Sequence, residues 1–369
     1  MIYKKNRRPK KLQIIIIVSL FFCFFVSFPL WTNDRLFPVL PVLDFLVTGG
    51  WVHFCFLSIL FFSGLLSILD FKFSTHSLVL FLSFLVIFCL QDQNRWQPWV
   101  YIFFVLLCFI LLHRLQVFTE KSLLTLFRIS FIGIYTWSGL HKLNAGFIYE
   151  ILPQLPVPEL GVLGYSIPLM EALMGIGLIF VSSRKFSVFL LLAMHFLILY
   201  EVILGSFTYN TIIIPWNLGM MVLLVLLFWN KETIHIISNQ YLTKGLAILL
   251  FLILPAGNFF DLWPGYPSFN LFSGKNDRAF LYVDETFKSN FKEKTHLKFD
   301  EENKISVHSY SYSELNVPFY SERDAYISLF NTLCTRSEHE FSIVMEIQTL
   351  PSLLNNEWET ESFFCDQFR

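Results

Sequence analysis

From Leu12 to Phe260 the chain alternates long apolar runs with short polar interruptions, on a length scale set by a bilayer and not by one face of a surface helix. A bilayer core takes roughly 20 mostly apolar residues per helix. Nine runs approach that length, at 12–31, 50–69, 77–91, 97–113, 122–142, 163–183, 186–204, 211–229 and 245–260. The third, fourth and ninth are short, so eight spans is the alternative to nine. After Phe260 the pattern changes and no run is long enough to cross. There AFLYVDE from Ala279, KISVHSYSY from Lys304 and EFSIVMEIQTL from Glu340 read as strands, and Ser321 with Asp324 reads as a capping box opening a short helix through Asn331. The predicted fold is an all-α polytopic membrane bundle over residues 1–260, followed by a small α+β extramembrane domain or cap over 261–369. Roughly 100 residues suffice for a modest core of its own.

Composition agrees with a chain whose main solvent is lipid. Hydrophobic residues make up 55% and charged residues 15%, phenylalanine alone supplies 44 positions, and mean hydropathy is +0.57. One water-soluble core cannot hide that much apolar surface. The net charge of -1 averages two unlike regions: residues 1–260 carry 17 Lys/Arg against 10 Asp/Glu, while residues 261–369 carry 10 against 18. An acidic tail argues against nucleic-acid binding. The expected partners are the lipid bilayer and a lipid-soluble small molecule.

Loop charge predicts the orientation, because Lys and Arg accumulate on the cytoplasmic side. With nine spans and a cytoplasmic N-terminus, the inner segments hold Lys4, Lys5, Arg7, Arg8, Lys10, Lys11, Lys72, Arg114, Lys121, Arg184, Lys185, Lys231 and Lys244, and the outer ones only Arg35, Arg95 and Lys142. Arg128 is left inside the fifth span. The acidic tail is then non-cytoplasmic. The opening MIYKKNRRPKK resembles the basic start of a secretory signal, but the apolar run continues to Trp31 without an Ala-x-Ala-like site, so it reads as an uncleaved first span.

Cys23, Cys55, Cys89 and Cys108 fall in or beside spans, where thiols pack as small hydrophobes. Cys334 and Cys365 lie in the tail, where the topology permits a disulfide between them. No Cys-x-x-Cys or His-x-x-x-His spacing occurs, so neither a structural metal nor a thioredoxin-like centre is expected.

Ionisable residues within the spans carry the chemical information, since each is costly unless paired or facing a cavity. The fifth span delivers His141 and Lys142 to its outer end, the sixth carries Glu171 shortly after Pro168, the seventh has His195 near mid-membrane and Glu201 nearer the outer face, and the eighth opens with Pro215, Trp216 and Asn217. These groups can converge in the outer half of one bundle. The ordinary alternatives are a snorkelling ammonium for Lys142, an interhelical hydrogen bond for His195, internal pairing for Glu171 and Arg128, and an interfacial place for His141. The fourth span is preceded by QDQNRW, whose Asp92 and Arg95, with Gln97 and Trp99 beyond, form a second polar cluster. It suits a headgroup or anion, or a solvated loop.

The segment YTWSGLHKLNAGF, through Tyr135, Ser138, Gly139, Lys142, Leu143, Asn144 and Phe147 with Trp137 beside them, resembles a signature of the membrane domain shared by vitamin K-dependent gamma-carboxylase and its bacterial relatives, the horizontally transferred transmembrane domain. That resemblance implies a base role for Lys142 in the oxygenation of a reduced quinone, a chemistry physically open to a desolvated amine. It brings a quinone or quinol as the implied cofactor. The motif covers barely a dozen residues, the tail is much smaller than the lumenal part of the animal carboxylases, and no second family histidine can be placed. Small DoxX-like membrane proteins carry a similar Gly-x-x-Lys-Leu segment. Two readings therefore stand: a carboxylase-like membrane enzyme acting on a quinol or other lipid-soluble substrate, with Lys142, Glu171 and His195 as its reactive groups and Asn217, Trp216, Arg95 and Trp99 binding the cofactor; and a non-catalytic scaffold or redox-complex subunit in which Lys142 and Glu171 form a structural pair.

Overall fold

The computed structural model describes residues 7–69, 72–155, 158–205, 210–230, 241–285, 300, 303–336, 343–354 and 356–368. Lys4, Lys5 and Lys231 of the basic set, and residues 340–342 of the third predicted strand, lie outside them.

The apolar runs fold as helices: α1 (Arg7–Val26), α2 (Gly50–Ile68), α3 (Ser74–Gln91), α4 (Pro98–Arg114), α5 (Glu120–Leu140), α6 (Ser166–Gly177), α7 (Arg184–Leu204), α8 (Ile213–Phe228) and α9 (Tyr241–Ile248), the last continued by a π turn at Leu249–Ile253 and a 3-10 turn at Leu254–Phe260. Six segments are long and apolar enough to cross a membrane: Arg8–Val26, Gly50–Ile68, Ser74–Gln91, Glu120–Leu140, Leu160–Gly177 and Arg184–Leu204. These make the chain an integral membrane protein by length and composition. Pro98–Arg114, Ile213–Phe228 and Lys244–Phe260 are apolar but shorter. The 16 residues of α8 reach about 24 Å against a hydrocarbon core of about 30 Å. The third run is thus longer than its hydropathy indicated, and the eighth shorter.

The most extensive helix pairings are α5 with α6 and α2 with α3. Lipid tails are as apolar as Leu, so tight association relies on close backbone approach at small residues. At the α5–α6 crossing a Cβ on Gly139 would overlap the Ala172 nitrogen and the Pro168 carbonyl, and one on Gly175 would sit 2.6 Å from the Thr136 nitrogen. Each helix supplies a glycine to the other's backbone.

The tail forms a four-stranded antiparallel sheet in the order β2-β1-β3-β4, from β1 (Arg278–Val283), β2 (Lys304–Ser306), β3 (Ile343–Thr349) and β4 (Glu359–Phe364). Two helices, α10 (Val307–Leu315) and α11 (Arg323–Arg336), complete it. The predicted strand from Lys304 stops after three residues and becomes α10, which buries Val307, Tyr310, Ser311 and Leu315 at helical spacing. Ser321 does not cap α11. Its hydroxyl bonds to the Phe319 carbonyl and the His308 ring, and the Glu322 carbonyl receives the amides of Ala325 and Tyr326. β4 is exposed in all but one position and polar over its first four, which hid it from the hydropathy pattern. Cys334 and Cys365 are joined by a disulfide that ties α11 to the turn after β4.

The tail caps one end of the bundle. Asn316 donates to the Val26 carbonyl (2.9 Å) and Thr211 (2.7 Å), Gln97 donates to the Pro318 carbonyl (2.9 Å), and the Tyr320 amide donates to Asn94 (3.1 Å). Asn144 donates to the Ser273 carbonyl at the same end (2.9 Å). Away from the cap, Arg114 reaches Gln13 and the Ser67 carbonyl, and the Arg128 Nε donates to the Leu227 carbonyl at the C-terminus of α8.

Candidate functional site

The segment after Tyr135 closes α5 and turns the chain toward α6. The helix ends as the His141 amide donates to the Trp137 carbonyl and the Lys142 amide to that of Gly139. Asn144 stitches the turn together: its amide group donates to the His141 carbonyl (2.7 Å), and its carbonyl oxygen accepts the Phe147 amide (3.0 Å). Phe147 buries against Ile148 and Leu152. Trp137 donates from its indole to the Leu252 carbonyl in the π turn (3.2 Å). Most of the motif therefore has a structural task, with Gly139 setting the crossing and Asn144 the turn. His141 is buried and not interfacial. Its ring stacks on Trp137 (centroids 5.5 Å apart) and packs against Phe259 (4.6 Å).

Lys142 is the residue the motif leaves for electrostatics. Its Nζ lies 2.7 Å from Glu171 Oε2 and donates to Ser138 Oγ at 3.0 Å. The side chains keep 16% and 8% of their surface, so the pair is withdrawn from solvent yet reachable at its edge. Glu171 can meet Lys142 because the two glycine contacts bring α6 onto α5 just below the turn.

A second row crosses the next helices. His195 of α7 points one ring nitrogen, Nδ1, at Asn217 Oδ1 of α8 (2.5 Å), and the other, Nε2, at the Tyr135 hydroxyl of α5 (2.8 Å). All three side chains are buried. Tyr135 lies within α5, whereas Lys142 follows its last residue, Leu140, in the closing turn. The sequence-identified residues thus form two sets, Lys142 after α5 with Glu171 of α6, and His195 of α7 with Asn217 of α8, the second joined by Tyr135 of α5. Tyr135 and Ser138 carry no role in the sequence beyond their places in the motif, and only the fold brings them to His195 and Lys142.

Trp216 sits beside Asn217, partly buried, and its indole nitrogen has no hydrogen-bond partner among the described residues. Arg95 and Trp99 belong to a different place. Arg95 is fully buried and makes four hydrogen bonds, to the Leu30 carbonyl (2.9 Å), the Phe88 carbonyl (3.1 Å), Gln91 (3.1 Å) and Asn33 (2.7 Å), with its guanidinium over the rings of Phe88 and Trp31. Asp92 pairs with Arg35 and caps the turn through the Asn94 amide. Trp99 packs on Phe24 and Trp31. This cluster braces the chain between α1 and α4; its charged groups are spent on one another and on neighbouring oxygens, while the Trp99 indole and the Asn94 side-chain amide nitrogen have no hydrogen-bond partner among the described residues.

Compared with known proteins, the chain matches no family model, no curated protein and no solved structure.

Proposed function

We propose that this chain is an integral membrane enzyme that removes a proton from the hydroxyl of a lipid-soluble quinol, or a molecule of that class, at the Lys142–Glu171 site. The observation that carries the reading is a pair of buried polar sets along neighbouring apolar helices, Lys142 with Glu171, and Tyr135 with His195 and Asn217. Ionisable groups at such depth are expensive, and in membrane proteins they mark proton and ligand paths. The resemblance of the Tyr135–Phe147 segment to the carboxylase-like membrane domain points to a quinol as the hydroxyl carrier. A related quinol-linked reaction fits better than protein gamma-carboxylation, because the tail is too small for the protein-binding region of those enzymes.

In this reading the N-terminus is cytoplasmic and the cap faces the periplasm, a lumen or the exterior. Arg114, Lys121 and Arg184 lie in the segments assigned to the cytoplasmic side, and the Cys334–Cys365 disulfide suits an oxidising compartment.

A second reading, a non-catalytic scaffold or redox-complex subunit, is favoured by one observation: Lys142 is paired directly with Glu171 at a glycine-packed crossing, an arrangement that also serves stability alone. Quinone content and quinol-dependent oxygen consumption of the purified protein, compared with a Lys142→Ala variant of matched stability, decide between them. Bound quinone with turnover lost in the variant supports the enzyme. No quinone and no turnover in either protein supports the scaffold.

A further inference from the structure

The roles of Lys142 and His195 can be separated on geometry, an inference that rests on the enzyme reading above. Lys142 is poorly placed to take a proton. Its nitrogen donates to Glu171 at 2.7 Å and to Ser138 at 3.0 Å, the pattern of an ammonium held by a carboxylate. His195 is placed differently. With the Asn217 carbonyl oxygen turned to the ring, Nδ1 carries the hydrogen and Nε2 presents its lone pair, so the Tyr135 hydroxyl donates to Nε2. This is the order found wherever a histidine is oriented by a partner on one nitrogen so that the other can accept a proton. The Tyr135 oxygen makes no other hydrogen bond among the described residues, which leaves it able to accept one from a bound hydroxyl.

We propose that Tyr135 and His195 together form the base, with Asn217 fixing the tautomer, and that Lys142 is the fixed cation that receives the substrate oxyanion. The step balances without redox change. The substrate O–H bond breaks as its proton passes to the Tyr135 oxygen, and the Tyr135 proton passes to His195 Nε2. The products are a substrate oxyanion beside the Lys142 ammonium and an imidazolium bonded to Asn217. Glu171, which pairs with Lys142, is the carboxylate that offsets the imidazolium charge. The charged groups around His195 are therefore Lys142 beyond the end of α5 and Glu171 from α6, with Tyr135 and Asn217 as its neutral partners.

The test uses the full chain in lipid nanodiscs with 15N-labelled histidine and lysine, followed by NMR from pH 5 to 9 without substrate. The expected result at pH 7 is a neutral His195 bearing hydrogen on Nδ1, a Lys142 signal of the ammonium type throughout, and a changed Nε2 shift in Tyr135→Phe. A Lys142 amine at pH 7, or hydrogen on Nε2, overturns the proposal. A second arm measures oxygen consumption with a short-chain ubiquinol as the probe. Tyr135→Phe should lose roughly 100-fold or more, whereas Lys142→Arg, which keeps the charge but cannot act as a base, should retain activity within about tenfold of wild type. Activity lost equally in Lys142→Arg and Lys142→Ala would return the base role to Lys142. A wild type inactive on this probe argues against the enzyme reading, while the NMR result still decides the protonation pattern.

Discussion

Gly139 and Ala172 are in backbone contact across the α5–α6 crossing, with no room for a side chain on the glycine. The contact lies one turn before Lys142 and one residue after Glu171. The geometry that joins the two helices is therefore also the geometry that joins the ion pair.

Gly139→Ala forces those backbones apart. The obstacle is main chain and cannot rotate away, so the variant should lose about 1–3 kcal/mol of stability. Its Tm in detergent should fall. Gly245→Ala, where a Cβ meets nothing within 4 Å, is the control and should be neutral or slightly stabilising.

Glu171→Gln removes one half of the Lys142 pair and leaves an ammonium largely out of solvent. The expected cost is about 2 kcal/mol, less than for a wholly buried pair because the lysine keeps 16% of its side-chain surface. The double variant Lys142→Met/Glu171→Met should be more stable than the sum of the two single losses. A thermal double-mutant cycle measures the difference, and strict additivity would mean that the pair contributes nothing as a pair.

The disulfide closes a loop between residues 31 positions apart. By the chain-entropy account it contributes about 3–4 kcal/mol. Cys334→Ser should leave the helical bundle intact and raise amide exchange in β4 and α11 selectively. Equal exchange in both proteins would show that the sheet edge holds without it.

His308 introduces a pH dependence. Its Nδ1 accepts the Phe319 amide at 3.2 Å, and Nε2 faces Ser321 at 3.3 Å, so the ring is bound neutral; burial lowers it to about 4 from the ordinary 6.5. Because the folded value lies below the unfolded one, the unfolded chain binds more protons between pH 6.5 and 4. The stabilisation is complete above 6.5 and is lost as pH falls toward 4, by at most about 3 kcal/mol for a ring that keeps an edge at the surface. Glu322 and Asp277, whose carboxyls burial raises, act in the opposite sense. His308→Gln should flatten the fall in tail stability between pH 7 and 4.5, read by chemical denaturation.

The helical segments of the bundle were legible because lipid immersion demands long apolar runs, and that demand leaves its length in the residues themselves. The strands at Ala279 and within 343–349 were legible for a related reason: each alternates toward a core. β4 was not, since an exposed edge strand needs only a partner's backbone. The run from Val307 was read at the wrong period, because Ser and Tyr alternate there while the buried set follows a helix.

The sequence by itself determined that the chain lives in a membrane, that its tail is acidic and outside the apolar runs, and that Lys142, Glu171, His195 and Asn217 are the groups worth watching. Hydropathy and charge are local properties, and each residue carries its own share of them. Only the tertiary structure decided that Tyr135 joins His195 and Asn217, that Arg95 is a brace occupied by neighbouring carbonyls, and that His141 is buried against Phe259. Those outcomes depend on which helix faces touch. No single stretch of sequence contains two such faces; at the α5–α6 crossing, for one, Gly139 and Gly175 sit on different helices and let the backbones approach.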